Sequence, residues 1–215
     1  MNNHNAELLA ACDARIKILL DTSAYIELEK VADNTGIDTI YELSRWYGDV
    51  EYFVSQSVFQ ELCKTKDNGL EIPNIHYDNV RRILEDDIVG DKTKHNEFLY
   101  EDKKGRIKSI KMNAISLADY GCILLCQNNK DLILLTNDHK IIKSANALIN
   151  GRLMDVPTLF RYLATDSALN NIKNDPLNST RKELKVKWEK ANKWYEENGG
   201  YNPPKKVYLP LPDID

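Results

Sequence analysis

The stretch RIKILLDTSAY, from Arg15 to Tyr25, decides the fold of this chain. Residues 16–20 form a short apolar run with polar residues around it, which predicts a strand that is covered on both faces. Asp21 follows this strand at once, and Thr22 and Ser23 are residue types that begin helices. In open α/β sheets, ligands bind at the carboxyl ends of the strands. Asp21 is therefore either a site residue or a helix cap, and this stretch alone leaves both interpretations open.

Length and composition are those of an ordinary globular protein. The chain has 215 residues, four cysteines and a formal net charge of -4 at pH 7. No two cysteines form a C-x-x-C pair, so there is neither a zinc signature nor a disulfide framework. The negative balance does not indicate nucleic-acid binding, which usually goes with a basic one. The N-terminus shows no signal peptide and no apolar run could span a bilayer, so we expect a cytoplasmic protein without membrane contact.

Strand patterns alternate with helix patterns over the first 164 residues. After the first strand, apolar and β-branched runs predict strands at 50–54, 132–135 and 153–156, with helices between them and no tight hairpin. This alternation predicts an α/β fold with a doubly wound parallel sheet. We expect one domain over residues 1–164.

Three further segments carry predictions that the structure can test. Residues 80–88 are predicted to be helical, and residues 90–105 to form a polar, mobile loop. Residues 113–127 are the best amphipathic helix, with a stripe of apolar residues along one side. Asp119 lies in the middle of that helix beside the stripe, where a carboxylate needs a partner or a metal.

The residues after 164 form a C-terminal extension of residues 165–215. A helix is predicted over about residues 181–197, followed by a tail rich in Gly and Pro. Four of its residues share one apolar face: Leu184, Trp188, Ala191 and Tyr195. We expect this face to pack on the domain and the lysines of the helix to be solvated. The alternative is that the lysines hold a substrate backbone: Lys182, Lys185, Lys187 and Lys190.

Four carboxylates fall at strand ends or on helices that could face one rim of the sheet. They are Asp21, Glu61, Asp119 and Asp138. Carboxylates that converge repel each other unless cations lie between them. A ligand set made only of oxygens suits Mg²⁺ or Mn²⁺, and such ions promote the hydrolysis of phosphodiesters. A haloacid-dehalogenase phosphatase would need a second Asp where Ser23 stands, and no P-loop is present.

Four stretches in this order, LLDTSAYI, VFQEL, SLADYGCILL and LLTNDHKI, resemble the PIN-domain nucleases. The resemblance covers about residues 15–164 and implies a three-layer α/β/α sandwich whose five parallel strands have the order 3-2-1-4-5. In that family four acidic residues bind Mg²⁺ or Mn²⁺ and cleave RNA. They match, in chain order, Asp21, Glu61, Asp119 and Asp138. The family's supporting hydroxyls match Thr22, Ser23 and Thr136, and Asn137 is a polar neighbour.

The resemblance implies a metal-dependent endoribonuclease, and in its simplest form the toxin of a toxin–antitoxin pair with an antitoxin protein as partner. A basic cluster leads into the helix that carries Asp119 and is the candidate for guiding RNA: Lys103, Lys104, Arg106, Lys108 and Lys111. Two alternatives stay open. One is a PIN-like binding module that holds RNA or a protein without cutting, and the other is a nuclease directed at DNA. A homodimer is also left open.

Overall fold

The structure is a computed structural model. It describes residues 16–47, 50–67, 80–83, 97–102, 104–112, 115–170, 172 and 179–198. The strands are β1 (Ile16–Leu20), β2 (Val50–Ser55), β3 (Val80–Ile83), β4 (Glu97–Glu101), β5 (Ile107–Lys111), β6 (Leu132–Leu135) and β7 (Leu153–Met154). The helices are α1 (Thr22–Thr35), α2 (Thr39–Trp46), α3 (Gln56–Asp67), α4 (Leu117–Asn128), α5 (His139–Ala145), α6 (Val156–Leu163), α7 (Asp166–Asn170) and α8 (Ser179–Asn198).

A parallel sheet lies at the centre of the described chain. Its order is β3-β2-β1-β6-β7, and each neighbouring pair is parallel. The prediction of an α/β fold with a parallel sheet is confirmed. The observed strand order is also the one that the resemblance implied, with the two-residue β7 as the fifth strand. The three-layer arrangement of the helices stays a prediction.

Strand β1 is central because its side chains are apolar on both faces. Ile18, Leu19 and Leu20 are all buried, and the same is true of Leu134 and Leu135 in β6. Chain order reverses between β1 and β6, since β2 lies on one side of β1 and β6 on the other. The carboxyl ends of these two strands therefore form the switch point, where open α/β sheets bind their ligands.

Helix α1 begins after Asp21, the single residue that separates it from β1. Its buried side chains recur at helical spacing and include Ala24, Leu28 and Val31. It ends at Gly36, which has a φ of 71° and whose N–H donates a hydrogen bond to the carbonyl oxygen of Ala32 at 2.8 Å. A left-handed residue at this place favours glycine, and it stops the helix cleanly.

The helix predicted over residues 80–88 is wrong for its first part, because Val80–Ile83 form strand β3. These residues pair with β2, from Tyr52 opposite Val80 to Ser55 opposite Ile83. Two of the four residues are β-branched, which suits a strand, and the pairing with β2 decides between the two conformations. Residues 84–88 lie outside the described part of the chain.

The polar loop predicted over residues 90–105 is also wrong where it can be tested, because β4 and β5 form an antiparallel hairpin. Phe98 is buried and its ring packs on that of Tyr120 with the centroids 4.8 Å apart. The turn is closed by Asp102, and Gly105 adopts a φ of 72°. The alternation of Glu97–Glu101 was hidden by the charged residues on the outer face of the strand.

Helix α8 packs against the rest of the described chain by the face that the sequence predicts. Leu184, Trp188, Ala191 and Tyr195 are all buried, and the helix contacts α1, α6 and α7. The prediction that this helix packs on the domain is confirmed. The division into domains at residue 164 stays a prediction, and the tail beyond residue 198 lies outside the described residues.

Three of the lysines on α8 have partners on other helices of the protein. Lys187 Nζ lies 2.6 Å from Glu42 Oε1, Lys190 Nζ donates to the carbonyl oxygen of Thr35 at 2.8 Å, and Lys185 Nζ lies 3.0 Å from Asp166. The first two bonds join α8 to α2 and to the end of α1. These contacts favour a role in holding the helix in place over a role in binding a substrate backbone.

Within the described residues, every helix is too short or too polar to cross a membrane.

Replacing Trp188 by Ala should destabilise the protein by about 3–5 kcal/mol, because it leaves a large cavity under α8. The measurement is the free energy of unfolding in urea. Val186→Ala is the matched control, since Val186 lies on the same helix with a relative exposure of 64%. We expect the control to change stability by less than about 0.5 kcal/mol. Equal effects of the two substitutions would contradict the packing of α8 described here.

Candidate active site

Asp21 is fixed between the two central strands. Its backbone N–H donates to the carbonyl oxygen of Leu135 at 3.1 Å. Its side chain caps helix α1 by accepting a hydrogen bond from the N–H of Ala24 at 2.6 Å. The hydroxyl of Ser23 donates to both carboxylate oxygens, at 2.9 and 3.0 Å, and that of Thr136 donates to Oδ2. Asp21 is thus a helix cap, as one interpretation of the sequence has it, and it also lies at the switch point.

Burial makes Asp21 an unusual carboxyl group. Its relative exposure is 2%. Desolvation raises the pKa of Asp21 from 3.8 to about 7, against the opposing effect of its hydrogen bonds to Thr136, Ala24 and Ser23. The nearby charge of Asp119 raises the pKa further. Burying a carboxyl group at a strand end costs free energy, and capping a helix does not by itself require that burial.

Glu61 is held at the same edge by the residue that follows Asp21. Thr22 Oγ1 donates to Glu61 Oε2 at 2.6 Å, which joins the start of α1 to helix α3. Ser55 Oγ accepts a hydrogen bond from the N–H of Val58 at 3.1 Å. Ser55 therefore caps helix α3, which begins at Gln56. Glu61 lies in the second turn of this helix.

Asp119 lies in the first turn of α4 and not in the middle of a helix, because the helix begins at Leu117 instead of residue 113. Its N–H donates to Ser116 Oγ at 3.1 Å, and its Oδ2 accepts from the N–H of Ser116 at 3.2 Å. Burial raises the pKa of Asp119, the two bonds to Ser116 lower it, and the charges of Asp138 and Glu61 raise it again.

Residues 136–138 form a short loop after β6 that carries the fourth carboxylate. Asp138 caps α5, accepting from the N–H of Lys140 at 2.6 Å. The N–H of Asp138 donates to Thr136 Oγ1 at 3.0 Å, while the same hydroxyl donates its proton to Asp21. The N–H of Asn137 donates to Ser23 Oγ at 3.0 Å. The four supporting residues of the prediction, at positions 22, 23, 136 and 137, therefore all bond within the site.

The four predicted carboxylates belong to one electrostatic group. Asp119 is close enough to Glu61, to Asp138 and to Asp21 for its charge and theirs to interact. All donors are carboxylate oxygens, which Mg²⁺ and Mn²⁺ prefer, and a cation would relieve their mutual repulsion. The donor set therefore fits a divalent ion. In the part of the chain that the structure describes, no three acidic, His or Cys side chains already surround one ion position.

The predicted basic cluster lies on the β4–β5 hairpin, except for Lys103, which is outside the described residues. Arg106 and Lys108 form ion pairs with Asp102, at 2.8 and 3.2 Å, and the hydrogen bond from Arg106 holds the pKa of Asp102 well below its usual range. Lys104 and Lys111 are exposed. The hairpin packs on α4, where Gln127 Nε2 donates to the carbonyl oxygen of Leu99 at 2.9 Å.

Sequence reasoning missed two residues of this edge. Asp155 follows β7, caps α6 by accepting from the N–H of Thr158 at 2.7 Å, and is buried. It repeats the layout of an apolar strand followed by a carboxylate, so that signal could have found it. Tyr195 accepts a hydrogen bond from Asn137 Nδ2 at 2.7 Å. No local pattern indicates this bond, because the two residues are 58 positions apart.

No family model, no curated protein and no solved structure matches this chain. The likeness to PIN-domain nucleases thus depends on the residues quoted above and on the arrangement they adopt.

Asp21→Asn should remove much of the pH dependence of stability in metal-free protein. The folded state keeps the Asp21 proton up to about pH 7, whereas the unfolded chain releases it near 3.8. Wild-type stability therefore falls as the pH rises between these values, by up to about 4 kcal/mol. Measured in urea with EDTA, the stability of the variant relative to wild type should rise from about pH 4 to about pH 8.

The control for this comparison is Asp131→Asn, because Asp131 is an exposed acid. If the free energies of unfolding of Asp21→Asn and wild type differ by the same amount across the whole pH range, the raised pKa of Asp21 is contradicted.

Proposed function

We propose that this protein is a metal-dependent endoribonuclease with a PIN-like three-layer core. The observation that carries the proposal is the group of four interacting carboxylates at the switch point of a parallel sheet. They come from the ends of β1 and β6 and from helices α3 and α4: Asp21, Glu61, Asp119 and Asp138. Solvated surface acids would explain neither a carboxyl group buried at the sheet switch point nor the interaction of Asp119 with all three of the other carboxylates.

Asp21, Glu61, Asp119 and Asp138 would hold Mg²⁺ or Mn²⁺. When bound, the ion activates water for attack on phosphorus and offsets the charge that develops on the phosphodiester. The protein's own hydroxyls set the direction of the carboxylates: Thr22 holds Glu61, while Ser23 and Thr136 hold Asp21. Because burial raises the pKa of Asp21, cation binding would release a proton from it and become tighter as the pH rises.

The substrate in this proposal is RNA, guided by the basic hairpin. The hairpin packs on α4, the helix that bears Asp119. Lys104 and Lys111 are exposed there, whereas Arg106 and Lys108 are engaged with Asp102. A toxin of a toxin–antitoxin pair would also have a small protein partner that covers the acidic edge. A pull-down from the native host that recovers no small neighbour-encoded protein would count against this part of the proposal.

The test of the proposed activity is cleavage of single-stranded RNA with added Mn²⁺, with single-stranded DNA alongside. Asp21→Asn and Asp119→Asn keep the size of the side chain and remove its charge. Each should lower cleavage by more than about a hundredfold, since the loss of a ligand costs more than that of an outer residue. Asp131→Asn is the control, because Asp131 is an exposed acid.

If wild type and both variants bind RNA equally and none of them cleaves it, the protein is a module that only binds RNA and is not a nuclease. Cleavage of DNA in preference to RNA would change the substrate class.

The basic hairpin is tested by the salt dependence of RNA binding. Replacing Lys111 by Ala should reduce the slope of log K against log[salt] by about 0.7, which is the loss of one contact to a single-strand phosphate. Arg106→Ala should have a smaller effect, because its guanidinium is already paired with Asp102. Lys182→Ala is the control on α8. If the slope of log K against log[salt] is the same for Lys111→Ala and wild type, RNA does not bind at this hairpin.

A further inference from the structure

We infer that Tyr195, on the C-terminal helix α8, is a positioning residue of the acidic site. The inference rests on the proposed function for what the site does, but its structural part is independent. Asn137 Nδ2 donates a hydrogen bond to Tyr195 Oη at 2.7 Å. Both residues are buried, with relative exposures of 8% and 2%. A buried polar pair of this kind is costly to break, because the group left behind has no water to replace its partner.

Asn137 connects the loop after β6 to three helices through its backbone and side chain. Its N–H donates to Ser23 Oγ at 3.0 Å, at the start of α1. Its Oδ1 accepts from the N–H of Val156 at 3.0 Å, at the start of α6, and its Nδ2 reaches α8. The orientation of the amide is fixed, because the N–H of Val156 can only donate and must face the oxygen. The phenol oxygen of Tyr195 is therefore the acceptor for the amide nitrogen.

Asn137 lies between two residues that act directly on the acidic group. Thr136 donates to Asp21, and Asp138 is one of the four carboxylates. Ser23, which accepts from Asn137, donates in turn to both oxygens of Asp21 at 2.9 and 3.0 Å. Hydrogen bonds thus link α8 to the side chain of Asn137, and the backbone of Asn137 to Asp21 through Ser23.

Tyr195 itself is held firmly enough to act as an anchor. Its ring packs against that of Phe160 with the centroids 6.2 Å apart and the planes tilted by 55°. One and two turns earlier on the same face, Ala191 and Trp188 are buried as well. The anchoring helix is tied on its other side through Lys190 to the end of α1. Helix α8 is on this basis a part of the site and not an appendage to it.

The experiment compares Tyr195→Phe with Trp188→Phe. Tyr195→Phe removes only the hydroxyl, while Trp188→Phe is a conservative aromatic change on the same buried face and leaves residues 136–138 untouched. The first readout is hydrogen exchange of the Asn137 and Asp138 amides in metal-free protein. The second is the apparent Kd for Mn²⁺, obtained by fitting the increase of thermal stability with Mn²⁺ concentration.

We expect Tyr195→Phe to speed exchange at these two amides more than the control does. It should also raise the apparent Kd for Mn²⁺ by about tenfold, which is typical of residues that orient a metal ligand without touching the metal. The effects of Tyr195→Phe and Asn137→Ala should not add in the double variant, because both break the same bond. At saturating Mn²⁺, the KM for RNA should stay unchanged.

Exchange and Mn²⁺ dependence that are the same in Tyr195→Phe and Trp188→Phe would overturn the inference, as would fully additive effects with Asn137→Ala. A wild-type protein that Mn²⁺ does not stabilise at all would contradict the proposed function. The exchange comparison is made without metal, so it distinguishes these two failures.

Discussion

The position of the Asp21 carboxylate constrains most of what surrounds it. A charged group at the end of a buried strand is unfavourable unless donors are brought to it. The protein supplies the N–H of Ala24 and the hydroxyl of Ser23 from the first turn of α1, and the hydroxyl of Thr136 from the loop after β6. Holding these donors in place fixes the spacing of β1 and β6 at their carboxyl ends. Asp21 itself and residues 136–138, which follow these two strands, are therefore heavily hydrogen-bonded.

Burial of the Asp21 carboxylate lowers the stability of the folded protein and favours the binding of a ligand of opposite charge. Even with its donors, the pKa of Asp21 stays raised to about 7, with burial as the largest cause. The fold thus carries an ionised or partly ionised group that it would be more stable without. Asp119 adds to the repulsion from the neighbouring helix. Functional sites commonly contain charged groups that are destabilised in this way, because such a group gains most from binding a ligand of opposite charge.

Sequence reasoning succeeded where the signal was local. The apolar runs at 16–20 and 132–135 became β1 and β6, and the carboxylates after them lie where the pattern indicates. It failed where distant contacts decide the outcome. Val80–Ile83 became a strand only because β2 is there to pair with it, and the hairpin depends on Phe98 reaching Tyr120. Asp155 was accessible to the same local rule and was missed because the predicted strand, residues 153–156, runs through it, whereas β7 ends at Met154.

The hydrogen bond between Asn137 and Tyr195 can form only late in the synthesis of the chain. The two residues are 58 positions apart, and β6 and its loop emerge first. At about 5–20 residues per second, Tyr195 is made some seconds later. Until then, the side-chain nitrogen of Asn137 has no phenol to bind, and the loop beside Asp21 lacks one of its supports. A chain still attached to the ribosome, and so close to messenger and ribosomal RNA, has an incompletely assembled acidic edge.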